Sequence, residues 1–444
     1  MTTAPLRVMV VDDTTTYRMI VRQSAEAVPG VEVVDFAANG RIALDKLSRI
    51  PIDVVLLDVE MPEMNGLDTL HHITAHYPQV TVVMVSGASH TNADIVVECL
   101  NSGAFDFVTK PLESDMDRSK GALLASLRPI LSLLSRRGRR APGQGVPGGT
   151  STQAGASSVA GMRVAPPPLP TRSAFTPPPN EAHSPAALEP RERVRAPVPT
   201  VGRAPLPSFT EPPRIAPPLR STRVTAARTE MERESRPVTS VGTSASGSAA
   251  GWDKKPALLL IGSSTGGPAA LTRVLSGIPP KLPIPALIVQ HMPPMFTVSL
   301  AAQLSRSTGH TVMEAAHDQE VEAGKILLAP GGRHLSVKRH GTMLKTVLND
   351  GPKVNGCRPA VDVLFMSVMA SYADPILAVI LTGMGNDGAN GVKGLKRSGK
   401  TYCLTQSRES CVVYGMPRVV EEMGLSDESI SLEELGPKIS ELCR

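Results

Sequence analysis

Ala257-Leu-Leu-Leu-Ile-Gly-Ser-Ser-Thr-Gly-Gly-Pro268 is the stretch on which the reading of this chain turns. It begins as an apolar run of strand length and breaks at Gly262 into a Gly- and Ser-rich turn. Helical spacing resumes after Pro268 through Leu271, Val274 and Leu275. A strand, a tight turn and a helix make the repeating unit of an α/β sheet. Gly262-Ser263-Ser264-Thr265-Gly266 also fits the G-x-S-x-G elbow, whose glycines relieve crowding around a strained serine. Taken alone, the turn is equally compatible with a phosphate cradle or with no chemistry at all. Its surroundings must decide.

Around it, strand-like runs recur at 257–261, 286–289, 325–328, 342–347, 376–381 and 401–404. Helical patterns lie at about 268–276, 296–306, 359–372 and 388–398. Residues 252–444 therefore read as a doubly wound α/β unit long enough for its own core. A serine nucleophile needs a base within hydrogen-bond reach, and the base needs an orienting acid. His291 directly follows the run 285–290, the next strand after the Ser264 turn, and sequential strands tend to be neighbours. His334, after the run 326–333, is the rival base. Asp387 follows a buried run that ends in a Gly-rich turn, which makes it the candidate acid. The chain order Ser264, His291, Asp387 is not the Ser–Asp–His order of the lipase-type hydrolases. No Lys-Ser or Lys-Thr follows the glycines, so a P-loop is excluded, and the turn does not fit G-x-G-x-x-G.

Residues 5–135 show a second alternation. Strand-like runs at 7–11, 31–36, 53–57, 80–85 and 105–108 are separated by helical stretches at about 14–27, 40–48, 66–76 and 91–102, with a last one at 115–135. Five parallel strands with helices on both faces are expected, with ligands at the carboxyl ends of the strands. Asp12 and Asp13 end the first strand, Asp58 the third, Ser86 the fourth and Lys110 the fifth. Carboxylates converging there repel one another and suit a hard cation such as Mg²⁺, beside which one of them can attack phosphorus.

Between these units the composition changes. The chain of 444 residues carries a net charge of +5. Residues 136–251 hold sixteen Arg, seven Glu and neither Lys nor Asp, or +9, which leaves −4 for the rest. Twenty of the forty-one prolines fall at 141–251. Such a stretch buries too little apolar surface to offset its ordering entropy, so a disordered, partly polyproline-like linker is expected over 136–251. A transient helix is conceivable at 221–236. The acidic remainder argues against a nucleic-acid-binding enzyme. No apolar run approaches the ~20 residues of a membrane span, and no export signal is visible. Five scattered cysteines without a C-x-x-C pair suit a reducing compartment. A cytoplasmic monomer is expected.

Two resemblances follow from these motifs. Val10-Val-Asp-Asp13, Leu57-Asp-Val-Glu-Met-Pro62, Ser86-Gly-Ala88 and Phe107-Val-Thr-Lys-Pro111 resemble the receiver domain of two-component response regulators. That likeness implies phosphorylation of Asp58 by a histidine kinase and Mg²⁺ held by Asp12, Asp13, Asp58 and the carbonyl of Glu60. It also implies a switch through Ser86 and Phe107, a phosphoryl contact from Lys110 and a cis Lys110–Pro111 bond. Ser263-Ser-Thr-Gly-Gly267, Gln290-His-Met-Pro293, Arg358-Pro-Ala-Val-Asp-Val-Leu-Phe365 and Ile380-Leu-Thr-Gly-Met-Gly-Asn-Asp-Gly388 look like the chemotaxis protein-glutamate methylesterases of the CheB family. The likeness implies Ser264 as nucleophile, His291 as base and Asp387 as orienting acid, with no cofactor. It implies methyl-ester hydrolysis and glutamine deamidation on chemoreceptors. The backbone N–H groups of Thr265 and Met384, each in a Gly-rich turn, are the candidates for an oxyanion hole. The linker is longer than is usual in that family.

Overall fold

A computed structural model describes residues 4–87, 89–111, 116–137 and 252–444. Apart from the end of the last N-terminal helix, the linker expected over 136–251 lies outside the described residues, as does the helix conceived at 221–236.

The N-terminal part runs β1 (Leu6–Val11), α1 (Thr15–Glu26), β2 (Val31–Ala37), α2 (Gly40–Leu47), β3 (Val54–Asp58), α3 (Gly66–His76), β4 (Thr81–Ser86), α4 (His90–Asn101), β5 (Asp106–Thr109) and α5 (Met116–Arg137). The five strands form one parallel sheet in the order β2-β1-β3-β4-β5. The alternation in sequence thus becomes the expected architecture. Helix starts are fixed by side chains: Asn39, Asn65 and Ser89 each accept a hydrogen bond from a first-turn backbone N–H, worth about 1 kcal/mol apiece. The expected cis Lys110–Pro111 bond is not found. The one cis peptide among the described residues is Arg358–Pro359.

The C-terminal part runs β6 (Leu258–Ser263), α6 (Gly267–Ser276), β7 (Ala286–Gln290), α7 (Phe296–Thr308), β8 (Thr311–Glu314), β9 (Lys325–Leu328), β10 (His334–His340), β11 (Met343–Asn349), α8 (Val361–Ser371), β12 (Ile376–Ile380), α9 (Ala389–Lys396), β13 (Thr401–Gln406), α10 (Met416–Glu422), β14 (Glu428–Ile430) and α11 (Leu432–Cys443). Seven of these strands make a parallel sheet, β14-β13-β12-β6-β7-β9-β8, while β10 and β11 pair as an antiparallel hairpin. Strand β6 sits at its centre, and Leu258, Leu259, Leu260 and Ile261 are wholly buried. Leu258 and Leu260 join the core on one face, Leu259 and Ile261 the core on the other. Alternation along a strand buried on both sides requires an unbroken apolar run. That is why Ala257–Ile261 carries no polar residue.

The chain order reverses between β6 and β12. Such a switch point opens a crevice at the carboxyl ends of the strands. In the N-terminal sheet the corresponding reversal lies between β1 and β3. Both sets of candidate residues sit at these reversals. The two sheets also meet: α4 packs on α6 and α7, and its Ala93, Val96, Val97 and Leu100 share one apolar cluster with Phe296 and Leu300.

Candidate active site and acidic pocket

The register of β6 against β7 pairs Ser263 with Gln290, so Ser264 and His291 are the next residues on adjacent strand ends. His291 N donates to Ser263 O at 3.1 Å. Residues 261–268 are buried except Ser264, which is half-exposed. Its backbone is fixed from several sides. Ser264 N donates to Thr382 O at 3.0 Å, and Ser264 O accepts from Gly267 N at 2.7 Å and from Gln290 Nε2 at 2.9 Å. Gln290 Oε1 accepts from Ser263 Oγ at 2.7 Å. Ser263 is therefore spent on structure and Ser264 is left to face the crevice. Gly266 needs its left-handed φ of 76° to turn into α6. At Gly383 a Cβ would stand 2.8 Å from Ser264 Cβ, so the 382–384 turn presses directly on the serine.

Asp387, at the turn between β12 and α9, is buried and accepts four hydrogen bonds. Oδ2 takes His291 Nε2 at 2.8 Å and Val361 N at 2.6 Å. Oδ1 takes Asn355 Nδ2 at 2.8 Å and Asp362 N at 3.1 Å. Burial alone would raise its pKa, but the bonds from His291 and Asn355 hold it below the ordinary carboxylate value. Burial likewise opposes the His291 imidazolium, yet hydrogen bonds to Asp387 and Cys357 carry its pKa up to about 9. An ionised Asp387 accepts from Nε2–H, which leaves Nδ1 as the basic nitrogen. In this structure Nδ1 faces Cys357 Sγ at 3.5 Å. No hydrogen bond joins Ser264 to His291 among the described residues.

The backbone N–H groups of Thr265 and Met384 are taken by no hydrogen bond among the described residues. The Thr265 hydroxyl is engaged, donating at 2.6 Å to Asp106 Oδ2 on β5 of the other sheet. Burial pushes the Asp106 carboxyl up to about 6, although Thr265 and Phe107 N donate to it. The rival base His334 opens β10 rather than ending a strand of the main sheet, and its Nε2 is 2.9 Å from Pro352 O. Lys353, Cys357 and Arg358 line a cavity of about 330 Å³ together with His291.

The other candidate residues also converge. Asp12, Asp13 and Asp58 offer carboxylate oxygens within 4.8 Å of one another. Lys110 Nζ lies 2.6 Å from Asp12 Oδ2 and 2.6 Å from Asp58 Oδ2. Burial pushes Asp58 up to about 6 against the pull of Lys110. Three hard oxygen donors are a chemically suitable set for Mg²⁺, while the Lys110 ammonium, which has no lone pair, suits the oxygens of a phosphoryl group. Glu60 lines a cavity with Asp13. Ser86 is buried at the end of β4, its hydroxyl 3.1 Å from Gly87 O. Phe107 does not face this pocket: its ring packs on Phe296 of α7, centroids 4.6 Å apart.

Several of these residues went unread in the sequence. Gln290, Asp106, Asn355, Cys357 and Asp362 act through contacts between distant segments, which no local pattern announces. Asn355-Gly356 alone carries a signal, since that dipeptide favours a two-residue hairpin turn.

The fold and the two sites define a receiver unit coupled to an α/β unit that presents serine, histidine and aspartate on one sheet edge. The family description "response regulator receiver domain" matches residues 8–118, and "CheB methylesterase" matches residues 259–439. The chain is 34% identical over 98% of its length to a protein-glutamate methylesterase/protein-glutamine glutaminase from Nocardioides sp., covering 94% of that protein. A protein of the same description from Desulfotalea psychrophila is 34% identical, with 98% of this chain and 97% of that protein covered. The crystal structure of the Thermotoga maritima CheB methylesterase catalytic domain is 39% identical, covering 42% of this chain and 98% of its own, with a TM-score of 0.41. This chain belongs to the CheB methylesterase family and carries that family's receiver domain. Among the described residues no helix is long and apolar enough to cross a membrane.

Proposed function

We infer that the chain is a phosphorylation-regulated hydrolase. It removes methyl groups from receptor glutamate methyl esters and deamidates receptor glutamines, so resetting chemosensory adaptation. The observation that carries this reading is the His291–Asp387 pair set beside the only half-exposed residue of the Ser264 turn. The catalytic unit spans 252–444, the receiver 5–135, and 136–251 links them.

Ser264 Oγ bonds to the side-chain carbonyl carbon of the substrate while its proton passes to His291 Nδ1. Ionised Asp387 stabilises the imidazolium through Nε2. The same proton then leaves with methanol or ammonia. Water, relieved of a proton by His291, cleaves the acyl-enzyme and restores Ser264. The N–H groups of Thr265 and Met384 receive the oxyanion; one such donor is worth ~3–4 kcal/mol of barrier. Thr265 precedes a helix N-terminus, where developing negative charge is favoured. This chemistry needs no cofactor.

Control lies in the receiver. A histidine kinase of the chemosensory pathway phosphorylates Asp58. Asp12, Asp13, Asp58 and the Glu60 carbonyl would hold Mg²⁺, which would supply positive charge for phosphoryl transfer. Lys110 contacts the phosphoryl group, and Ser86 and Phe107 relay its presence. The contacts of Phe107 with Phe296 and of Asp106 with Thr265 favour a closed form in which the receiver lies against the nucleophile turn. Phosphorylation releases that form. Mass spectrometry of methylated and glutamine-bearing receptor fragments, incubated with the full-length chain with and without a small phosphodonor, tests the whole reading. Losses of 14 Da from esters and gains of 1 Da at glutamines, both faster with phosphodonor, are expected from the masses of the groups exchanged (about these values). Unchanged fragments would sink it.

A further inference from the structure

The turn Val354–Cys357 lies beside the base–acid pair. Val354 N donates to Cys357 O at 3.0 Å and Cys357 N to Val354 O at 2.9 Å. Asn355 (φ 51°) and Gly356 (φ 80°) are both left-handed, the geometry of a tight two-residue hairpin turn. One arm reaches Asp387: Asn355 Nδ2 donates to its Oδ1 at 2.8 Å and to Asp362 Oδ2 at 2.9 Å. Asp362 is a fixed post, since its Oδ1 accepts from Gly388 N at 3.0 Å and Gly391 N at 2.7 Å. The other arm reaches the histidine, with Cys357 Sγ 3.5 Å from His291 Nδ1. A single short turn thus touches both ends of the base–acid pair.

We propose that this turn is a positioning brace, in which Asn355 ties Asp387 to the Asp362 post and Cys357 sets the orientation of the His291 ring. The proposal rests on the reading of His291 as base and Asp387 as its acid. Neither Asn355 nor Cys357 takes part in bond making. Asn355 shares its two amide protons between two buried carboxylates, so the Asp387 carboxyl plane is held on the side that His291 does not hold. Cys357 occupies the nitrogen that must receive the serine proton, which keeps Nδ1 turned toward the cavity until Ser264 Oγ displaces the thiol.

The charged and titratable groups around His291 set the signs for a test. Asp387 bonds its Nε2, Cys357 faces its Nδ1, Asp362 stands behind Asp387, and Lys353 and Arg358 share the cavity wall. The base works when neutral, so activity rises as pH passes the His291 pKa. Cys357 raises that pKa, and Cys357→Ala must move the acid limb of kcat to lower pH. Asn355→Asp adds a carboxylate beside Asp387 and must move it to higher pH. A structural role alone would move neither limb.

The experiment measures methanol release from methylated receptor fragments against pH for the full-length chain and its variants. Asn355→Gly, which suits the left-handed backbone, is expected to lower kcat about tenfold with KM within a factor of about two, the signature of lost orientation. Wild-type kcat in Asn355→Gly, or an unmoved limb in Cys357→Ala, overturns the brace. Should Asn355→Gly fail to fold, the Cys357→Ala limb decides alone. His291→Ala, run in parallel, separates the two levels of the account. Full activity there overturns the base assignment together with the brace. Its loss beside normal Asn355→Gly kinetics overturns the brace only.

Discussion

The two sheets place their chemistry at the same topological point and use it differently. In the N-terminal sheet the reversal between β1 and β3 gathers Asp12, Asp13 and Asp58 around one Lys110, an excess of negative charge that suits a cation and a phosphoryl group. In the C-terminal sheet the reversal beside β6 gathers one hydroxyl, one imidazole and one carboxylate whose lone pairs are filled by four N–H donors. The first pocket is electrostatically unfinished and awaits charge from outside. The second is satisfied internally apart from Ser264 and, among the described residues, the N–H groups of Thr265 and Met384. Fold alone therefore separates nothing; the residue types at the strand ends do.

The largest effects are expected at the satisfied site. Asp387→Asn leaves the shape of the site but reverses one hydrogen bond, so His291 is held in the wrong tautomer. Hydrolysis should fall about 10⁴-fold in steady-state assays with methylated receptor. Next in size is Gly383→Ala. The added methyl would sit 2.8 Å from Ser264 Cβ and 2.4 Å from Met416 Sδ, and a nucleophile displaced by ~1 Å should lose about 10²-fold in kcat. A pH profile adds a third check. With His291 at about 9, its neutral form grows as pH rises, so kcat should climb roughly tenfold per unit below that value and level off above it. A profile flat from neutrality upward would contradict the assignment.

The unfinished site is probed through regulation. Asp58→Asn should abolish stimulation by phosphodonor without touching the unstimulated rate, because the variant leaves the Ser264 edge unchanged. The smallest effect is expected between the two sheets. Asp106→Asn neutralises the partner of Thr265, and losing about 1 kcal/mol from the closed form should raise the unstimulated rate about fivefold. No rise would place the control elsewhere than this contact.

Strand ends were the legible part of both sites. Asp12, Asp58 and Lys110 could be located because each terminates an apolar run, and Ser264, His291 and Asp387 for the same reason. The alternation of runs also announced both parallel sheets. What stayed hidden has physical causes. Strand β10 ends in the exposed Lys338, Arg339 and His340, and β8 is four residues long, so neither stands out by hydrophobicity, whereas β11 is legible as the run 342–347. Helix α11 had a readable start, the capping box of Ser431 and Glu434, that composition alone passed over. Asn355 and Asp362 matter through each other and through Asp387, a coincidence of three separate segments. The Phe107–Phe296 contact joins residues that no local pattern relates.

The central claim is that Ser264 makes and breaks the acyl bond while the receiver only governs access to it. The most direct measurement is the initial rate of methanol release from methylated receptor fragments by wild type and Ser264→Ala, each with and without phosphodonor. Wild type should release methanol, faster with phosphodonor, and the variant should lose about 10⁶-fold under both conditions. Release by Ser264→Ala at a rate comparable to wild type would contradict it.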